Sequence, residues 1–519
     1  MEVYDQDRFH SLIKQARPWY RSSGVFRLYL LLLSAMVTSS SWGFDISMTN
    51  SLQSVSQFMN KFHNPRGAAL GFYGACSSVG GIVATIVAGP ITDRLGRRAL
   101  CFIGSGIVIS MAIMETFSTS FHMFTAGKLL LGFGANLQQI GGPMLVVELA
   151  HPKSREAISS VYNTSIFLGE IIGAWITFGT FSIPSNWSWG IPCIIQILLP
   201  AYQFLTIWLC PESPRWLVSK GRVEKARDIL VKYHGDGEET ELVKMELQEI
   251  IAGVEVDRTQ LRFNSAGLKS IFGSKGNLRR LWIVTITAIG SQCSGSVLIS
   301  AYLPQILDEV GFSTSRDKTL INGLVDIASW VTGVIAAFTI PHMRRRTVFL
   351  VATGGMIAIF AVWTALSAEY LQTGRAKLGI GVVVMVFLFN MVYCTCWLPL
   401  IITYPSEIIT TKQRGIFFSW TFFVINSSSF VYSYITPIGL DSLSWKYYII
   451  QTVFDVALIL IIFFTFVETK GMTLEEVATI FDGDENFTAT AISKGMEMEG
   501  REKKSVMEIE HREQELGGF

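Results

Sequence analysis

The chain predicts an all-α integral membrane protein of twelve transmembrane helices in two six-helix halves, with a charged helical loop between them. Three observations carry this. Half of the 519 residues are hydrophobic and only 16% are charged, against about 25% in soluble domains, and mean hydropathy is +0.40. The apolar residues fall in twelve runs, and about 20 helical residues cross a bilayer core about 30 Å thick. A stretch at 211–280, too charged to insert, divides the runs six and six. A net charge of +1 gives no field for nucleic acid, and hydropathy overrides the several soluble domains that length alone suggests.

Residues 1–25 are polar and basic, with Arg8, Lys14, Arg17 and Arg21. They lack the h-region and cleavage site of a secretory signal, so the first span is expected to act as a retained insertion signal. The N-terminal half, 26–210, holds runs at 26–48, 67–92, 99–117, 121–147, 157–181 and 187–210. In the loop at 211–280, VEKARDILVKYH and the segment 238–254 set apolar residues at helical spacing, which predicts helices lying beneath the bundle. The C-terminal half, 281–467, holds runs at 281–307, 320–343, 347–368, 378–404, 415–440 and 447–467. Several runs exceed 20 residues, which predicts tilt or kinks. A charged tail at 468–519 follows, and its end, 482–519, is too poor in apolar residues to fold.

Arginine and lysine gather before the first run and after the second, fourth, sixth, eighth, tenth and twelfth. This bias predicts both termini in the cytoplasm. The sequon at Asn186 then falls outside, whereas those at Asn163, Asn426 and Asn486 fall in spans or in the tail. Seven cysteines lie in or beside apolar runs. Their odd number, and the lack of a second pair to complete Cys394 and Cys396, point to packing rather than to a disulfide or metal site.

One charged cluster stands out. GPITDRLGRR, after the second run, packs Asp93, Arg94, Arg97 and Arg98 into six residues. A solvated cluster that only fixes topology is the simpler reading, and a latch between moving helices is the sharper one. The fourth run ends with Glu148 seven residues before Arg155, and the tenth with Glu407 seven residues before Arg414. Equal spacing at equivalent ends is the mark of a duplicated bundle.

At these motifs the chain resembles a sugar porter of the major facilitator superfamily, over about residues 43–477. DRLGRR at 93–98, PESPRWL at 211–217 and VETKGMTLEEV at 467–477 carry the likeness. GFDISMTNSLQS, GFGANLQQIGGP, YNTSIFLGEIIGAW and SQCSGSVLISAYLPQIL are similar to the fungal lactose permease-like branch. The resemblance implies proton-coupled uptake of a β-linked disaccharide or glucoside such as lactose or cellobiose, by a monomer in the plasma membrane. The alternative is a transporter-like sensor that binds sugar and signals. Partners are then a small sugar, the proton and membrane lipid. No cofactor or metal is expected, nor an enzyme, since no nucleophile–base–acid set or phosphate loop lies outside the spans.

Polar groups inside spans generally face the bundle interior. The family motif implies that Asp45 is the proton-coupling acid, working with Lys128, where relatives have arginine. The plainer alternative is that Asp45 only caps its span. Glu170 is a rival or additional proton carrier, and Asp326 and Asp455 are weaker candidates. Gln138, Gln139, Asn163, Gln292 and Asn426 are amides suited to sugar hydroxyls, and Tyr302 and Trp397 offer aromatic faces. The alternative for each is an interhelical hydrogen bond or simple packing. The gating set comprises Asp93, Arg94, Arg97, Arg98, Glu148, Arg155, Glu212, Arg215, Glu407, Arg414 and Glu468. Departures from the family include PHMRRR at 341–346, where an acid and a glycine are expected, and Cys293, Ser296, Gly190 and Glu156. The first loop is therefore expected to bear more of the closure than the second.

Overall fold

A computed structural model describes residues 6–258, 272–409, 413–470, 472, 477 and 479–481. The tail from 482 onward, with the sequon at Asn486, lies outside the described residues. The twelve spans are Ser23–Leu52, Gly67–Leu95, Arg97–Thr116, Phe121–Leu149, Arg155–Thr180 and Trp187–Leu209, then Lys275–Glu309, Ser315–Thr339, Arg345–Thr373, Ala376–Ile408, Arg414–Leu443 and Lys446–Thr465. Among the described residues, nine of these are both long and apolar enough to cross a membrane. The fourth, fifth and eleventh, at 29, 26 and 30 residues, have the length but carry more polar groups. Those polar groups include Gln138, Gln139, Glu170 and Asn426.

Several spans are broken, as their length predicted. The seventh turns at Ser294 and restarts after Gly295, which sits at φ 99°. A side chain there would also meet the ring of Phe360 at 2.5 Å, so glycine is required twice over. The tenth contains a π-helical turn at Tyr393–Trp397, a feature common at functional sites.

Within the first half, the first and fifth spans touch backbone to backbone. A Cβ on Gly43 would lie 2.0 Å from the Ile166 carbonyl, and one on Gly169 would lie 1.9 Å from the Ser40 carbonyl. Small residues permit this approach where lipid supplies no hydrophobic drive for association. The two halves meet mainly along the second and eleventh spans and along the fifth and eighth. Gly71 abuts Tyr434, the Ser78 and Ser429 hydroxyls are 3.2 Å apart, and Gly81 abuts Asn426. Further along the same side of the second span, toward the basic loops, Gly89 has nothing within 4 Å of a built Cβ and Leu95 is exposed. The halves are therefore closed at one end and parted at the basic end.

Beneath the first half lie the helices Pro214–Ser219, Val223–Tyr233 and Glu241–Arg258. The last begins three residues later than expected. An additional helix, Gln6–Gln15, lies in the segment read as merely polar and basic, and Arg8 pairs with Glu241 at 2.6 Å. Asp236 accepts from the Gly24 amide at 2.6 Å and the Ser22 hydroxyl at 2.9 Å. These bonds cap the first span, whose leading N–H groups have no intrahelical acceptor.

Candidate functional site

A cavity of about 330 Å³ opens between the halves. Asp45, Ser77 and Glu170 line it from the first half, and Gln292, Asn322, Asp326, Asn390 and Asn426 from the second. At its wall, the Lys128 ammonium donates to Asp45 Oδ1 at 2.5 Å, and the Gln196 amide donates to the same oxygen at 2.6 Å. Lys128 is 1% exposed and Asp45 3%. Removing one member of such a pair strands the other charge in a medium that solvates it poorly. Asp45 sits seven residues inside the end of its helix, so it is a wall group of the cavity and not an interfacial cap.

Above the cavity the halves are joined by polar contacts. Ser47 donates to Asp326 Oδ2 at 2.7 Å, Asn50 to Asn322 Oδ1 at 2.7 Å, Asn322 to Ser51 Oγ at 3.0 Å, and Gln53 to the Ala301 carbonyl at 2.7 Å. This seam closes the end opposite the basic loops. The sequence reading missed Asn50, Gln53, Asn322 and Asn390. The signal was available: GFDISMTNSLQS places Asn50 and Ser51 about one helical turn after Ser47, and Gln53 about one turn after Asn50.

The sugar-binding candidates divide. Gln292 and Asn426 line the cavity. Gln138 does not: its amide bonds to Gln203 at 2.8 Å inside the first half. Gln139 donates to the Thr38 carbonyl at 3.2 Å and accepts from Tyr162. Asn163 is exposed and lies outside the lining. Tyr302 donates to the Ser433 carbonyl at 2.6 Å with its ring against Gly74. Trp397 is wholly buried and donates to Thr353 at 3.2 Å beside Phe349. Gln138, Gln139, Tyr302 and Trp397 hold helices together in this conformation, the alternative their residue types had left open. Asp455, beside Gln451 at 3.4 Å, is also away from the lining.

At the basic end the two halves repeat one charge design. Arg97 pairs with Glu148 at 3.0 Å, and Glu212 accepts from the Arg97 and Arg98 amides at 3.2 and 3.3 Å. In the second half Arg345 pairs with Glu407 at 3.0 Å, and Glu468 accepts from the Arg345 and Arg346 amides at 2.8 and 3.2 Å. Even the third partner repeats: Ser213 donates to Glu148, and Thr469 donates to Glu407. Glu148 thus pairs with Arg97, and Arg155 lies instead 3.9 Å from Glu246. The missing acid and glycine of PHMRRR do not break the cluster, because its acids come from other helices. Asp93 and Arg94 are exposed, and among the described residues the Asp93 carboxylate joins no ion pair; its carbonyl accepts from Trp216 at 3.2 Å. Arg215 reaches toward Gly253 of the loop helix. Arg414 opens its helix, but its side chain lies outside the described residues.

Comparison with known proteins agrees with this architecture. The family described as "Sugar (and other) transporter" matches residues 31–481, and the chain belongs to it. It is 25% identical to a high-affinity glucose transporter of Kluyveromyces lactis over 480 residues, 87% of this chain and 85% of that protein. It is 27% identical to the sugar transporter STL1 of Saccharomyces cerevisiae, over 87% of this chain and 81% of that one. The inward-open xylose transporter XylE of E. coli superimposes with a TM-score of 0.72 at 19% identity, covering 88% of this chain and all of that one. The proton:xylose symporter XylE bound to 6-bromo-6-deoxy-D-glucose gives 0.70 at 22%, covering 88% and 99%.

Proposed function

We propose that this sugar-transporter family member carries a sugar into the cell together with a proton, by alternating access about the cavity between its halves. The Asp45–Lys128 pair carries the reading. An acid whose charge is balanced by a buried ammonium is held ionised until a proton arrives, and protonation then frees the lysine. Because Asp45 also faces the cavity, its charge and the cavity's exposure are open to coupling. The excess of arginine and lysine at the parted end supports a cytoplasmic position for that end and for both termini. The conformation is then inward-facing, with the Asn50–Asn322 seam as the closed outer gate.

For the substrate, the GFDISMTNSLQS and SQCSGSVLISAYLPQIL strings support a β-linked disaccharide or glucoside such as lactose or cellobiose. A hexose is the second reading. It is favoured by relatives named as glucose transporters and by a volume near the lower limit of small-molecule sites, about 300 Å³. Gln292, Asn390 and Asn426 offer amides to hydroxyls, and Glu170 and Asp326 add acceptors from opposite halves.

Uptake of labelled glucose, lactose and cellobiose into cells lacking their own carriers, with and without an uncoupler, tests the proposal. Saturable uptake abolished by the uncoupler is expected. Binding without uptake would favour a sensor, and uncoupler-insensitive uptake would remove the proton from the mechanism.

A further inference from the structure

Glu115, the penultimate residue of the third span, is fully buried, and neither of its carboxylate oxygens has a hydrogen-bond partner among the described residues. It packs against Gly127, the neighbour of Lys128: a Cβ on Gly127 would lie 3.1 Å from Glu115 Cγ. The titratable groups around it come from four other spans. They are Lys128 from the fourth, Asp45 from the first, Tyr73 and Cys76 from the second, and Cys193 from the sixth. Lys128 is the one cation in this set.

Two buried carboxyls therefore lie around one buried ammonium, which bonds to Asp45 and leaves both Glu115 oxygens without a partner. A carboxylate without a partner is strongly disfavoured away from water. The three groups are closest to neutral when one acid is ionised against the lysine and the other keeps a proton. With the ammonium on Asp45, as here, the proton belongs on Glu115. We infer that Glu115 is the second carboxyl partner of Lys128, and that it stores a proton behind the cavity for delivery to Asp45.

The exchange balances. The Lys128 N–H bond nearest Asp45 breaks as an O–H bond forms on Asp45. The Glu115 O–H bond then breaks as the N–H bond on Lys128 re-forms. The ammonium ends paired with ionised Glu115, and the total charge is unchanged. When Asp45 gives its proton to the open side and reclaims the lysine, Glu115 must take up another. Glu115 lies nearer the closed end of the bundle, so each turn moves one proton from that end to the open end.

The use of this relay rests on the symport reading above, whereas the shared charge does not. Infrared difference spectra of the purified full-length protein separate the two. E115Q should remove one buried protonated-carboxyl band at neutral pH, and E115D should keep it. D45N should remove the same band, because Lys128 then pairs with Glu115 and ionises it. A band absent from the wild type, or one that survives in D45N, overturns the inference. In uptake, E115Q should lower uncoupler-sensitive sugar accumulation about tenfold, the equivalent of one pKa unit of proton affinity, and E115D should restore most of it. Equal loss in both variants, with a lowered melting temperature, would reduce Glu115 to a packing role. Uncoupler-insensitive uptake by the wild type would instead defeat the symport reading.

Discussion

Asp45 and Lys128 are held 2.5 Å apart with almost no exposed surface, so Asp45 depends on Lys128 to balance its charge. Lys128→Met should destabilise the fold by about 3–5 kcal/mol, the usual cost of orphaning a buried charge. The double variant Asp45→Asn with Lys128→Met should recover much of that loss, as a coupled pair requires. Thermal unfolding of purified variants measures both, and additive losses would contradict the pairing. In transport, Asp45→Asn should keep sugar exchange while abolishing accumulation. Asp45 was legible because an acid inside an apolar run is conspicuous, and Lys128 because it stands where the family motif implies a basic partner. Glu115 was not, since it closes its run and there resembles an interfacial residue. Trp397 and Gln138 show the opposite difficulty. Each is the right type of residue for a sugar site, yet each faces inside its own half.

At the scale of elements, the Gly43–Gly169 crossing sets how closely the first and fifth spans approach. Gly169→Val should force these helices apart, because the Ser40 carbonyl occupies the space of the new side chain. The expected outcome is a protein that reaches the membrane poorly and melts several degrees lower, since overpacking costs about 1–3 kcal/mol. The two charge clusters make a symmetric prediction. Arg97→Ala and Arg345→Ala each remove the partner of a half-buried glutamate, Glu148 or Glu407, and should impair uptake to a similar degree. Asp93 has no counterpart at Pro341. Asp93→Ala should therefore slow the return to the conformation closed at the basic end, while changes at Pro341 or His342 should not. Transport rates of these variants at equal surface expression decide whether the asymmetry expected from PHMRRR is confined to that acid.

For the whole molecule, the docking of the loop helices beneath the first half should depend on pH. His234 Nδ1 lies 2.8 Å from Glu246 and its Nε2 3.1 Å from the Leu149 carbonyl, all buried. Burial pushes the His234 imidazolium down, but the Glu246 carboxylate outweighs it and leaves His234 above its usual 6.5. Burial pushes Glu246 up, but His234 brings it below 4.5. The raised histidine stabilises fully below pH 6.5, and that contribution is lost as pH rises through its folded value. The lowered glutamate stabilises above pH 4.5 and loses this as pH falls through its folded value. The pair is strongest between about pH 4.5 and 6.5. His151, its ring tilted against that of His234 at 5.1 Å, is pushed down to about 4 by burial and by His234. It opposes the pair below pH 6.5. In hydrogen exchange, the 241–258 helix should open more readily above neutrality in the wild type, and His234→Gln should flatten that dependence.

The number of spans, their division six and six, the helical loop and the arginine clusters are properties of local composition. A run of about 20 apolar residues inserts wherever it sits in the chain, so the sequence by itself determined them. It also marked Asp45, since charge inside an apolar run has no cheap local solution, and the family motif implied Lys128. Which face of each helix meets the cavity was decided only by the tertiary structure. Each residue turns a helix by about 100°, so a small rotation moves Gln138 or Trp397 from cavity to interior. Repeated small and polar residues leave several such rotations open until neighbouring helices select one. The same packing brought Glu115 to Lys128 and Asn50 to Asn322 across gaps in sequence that no local pattern spans.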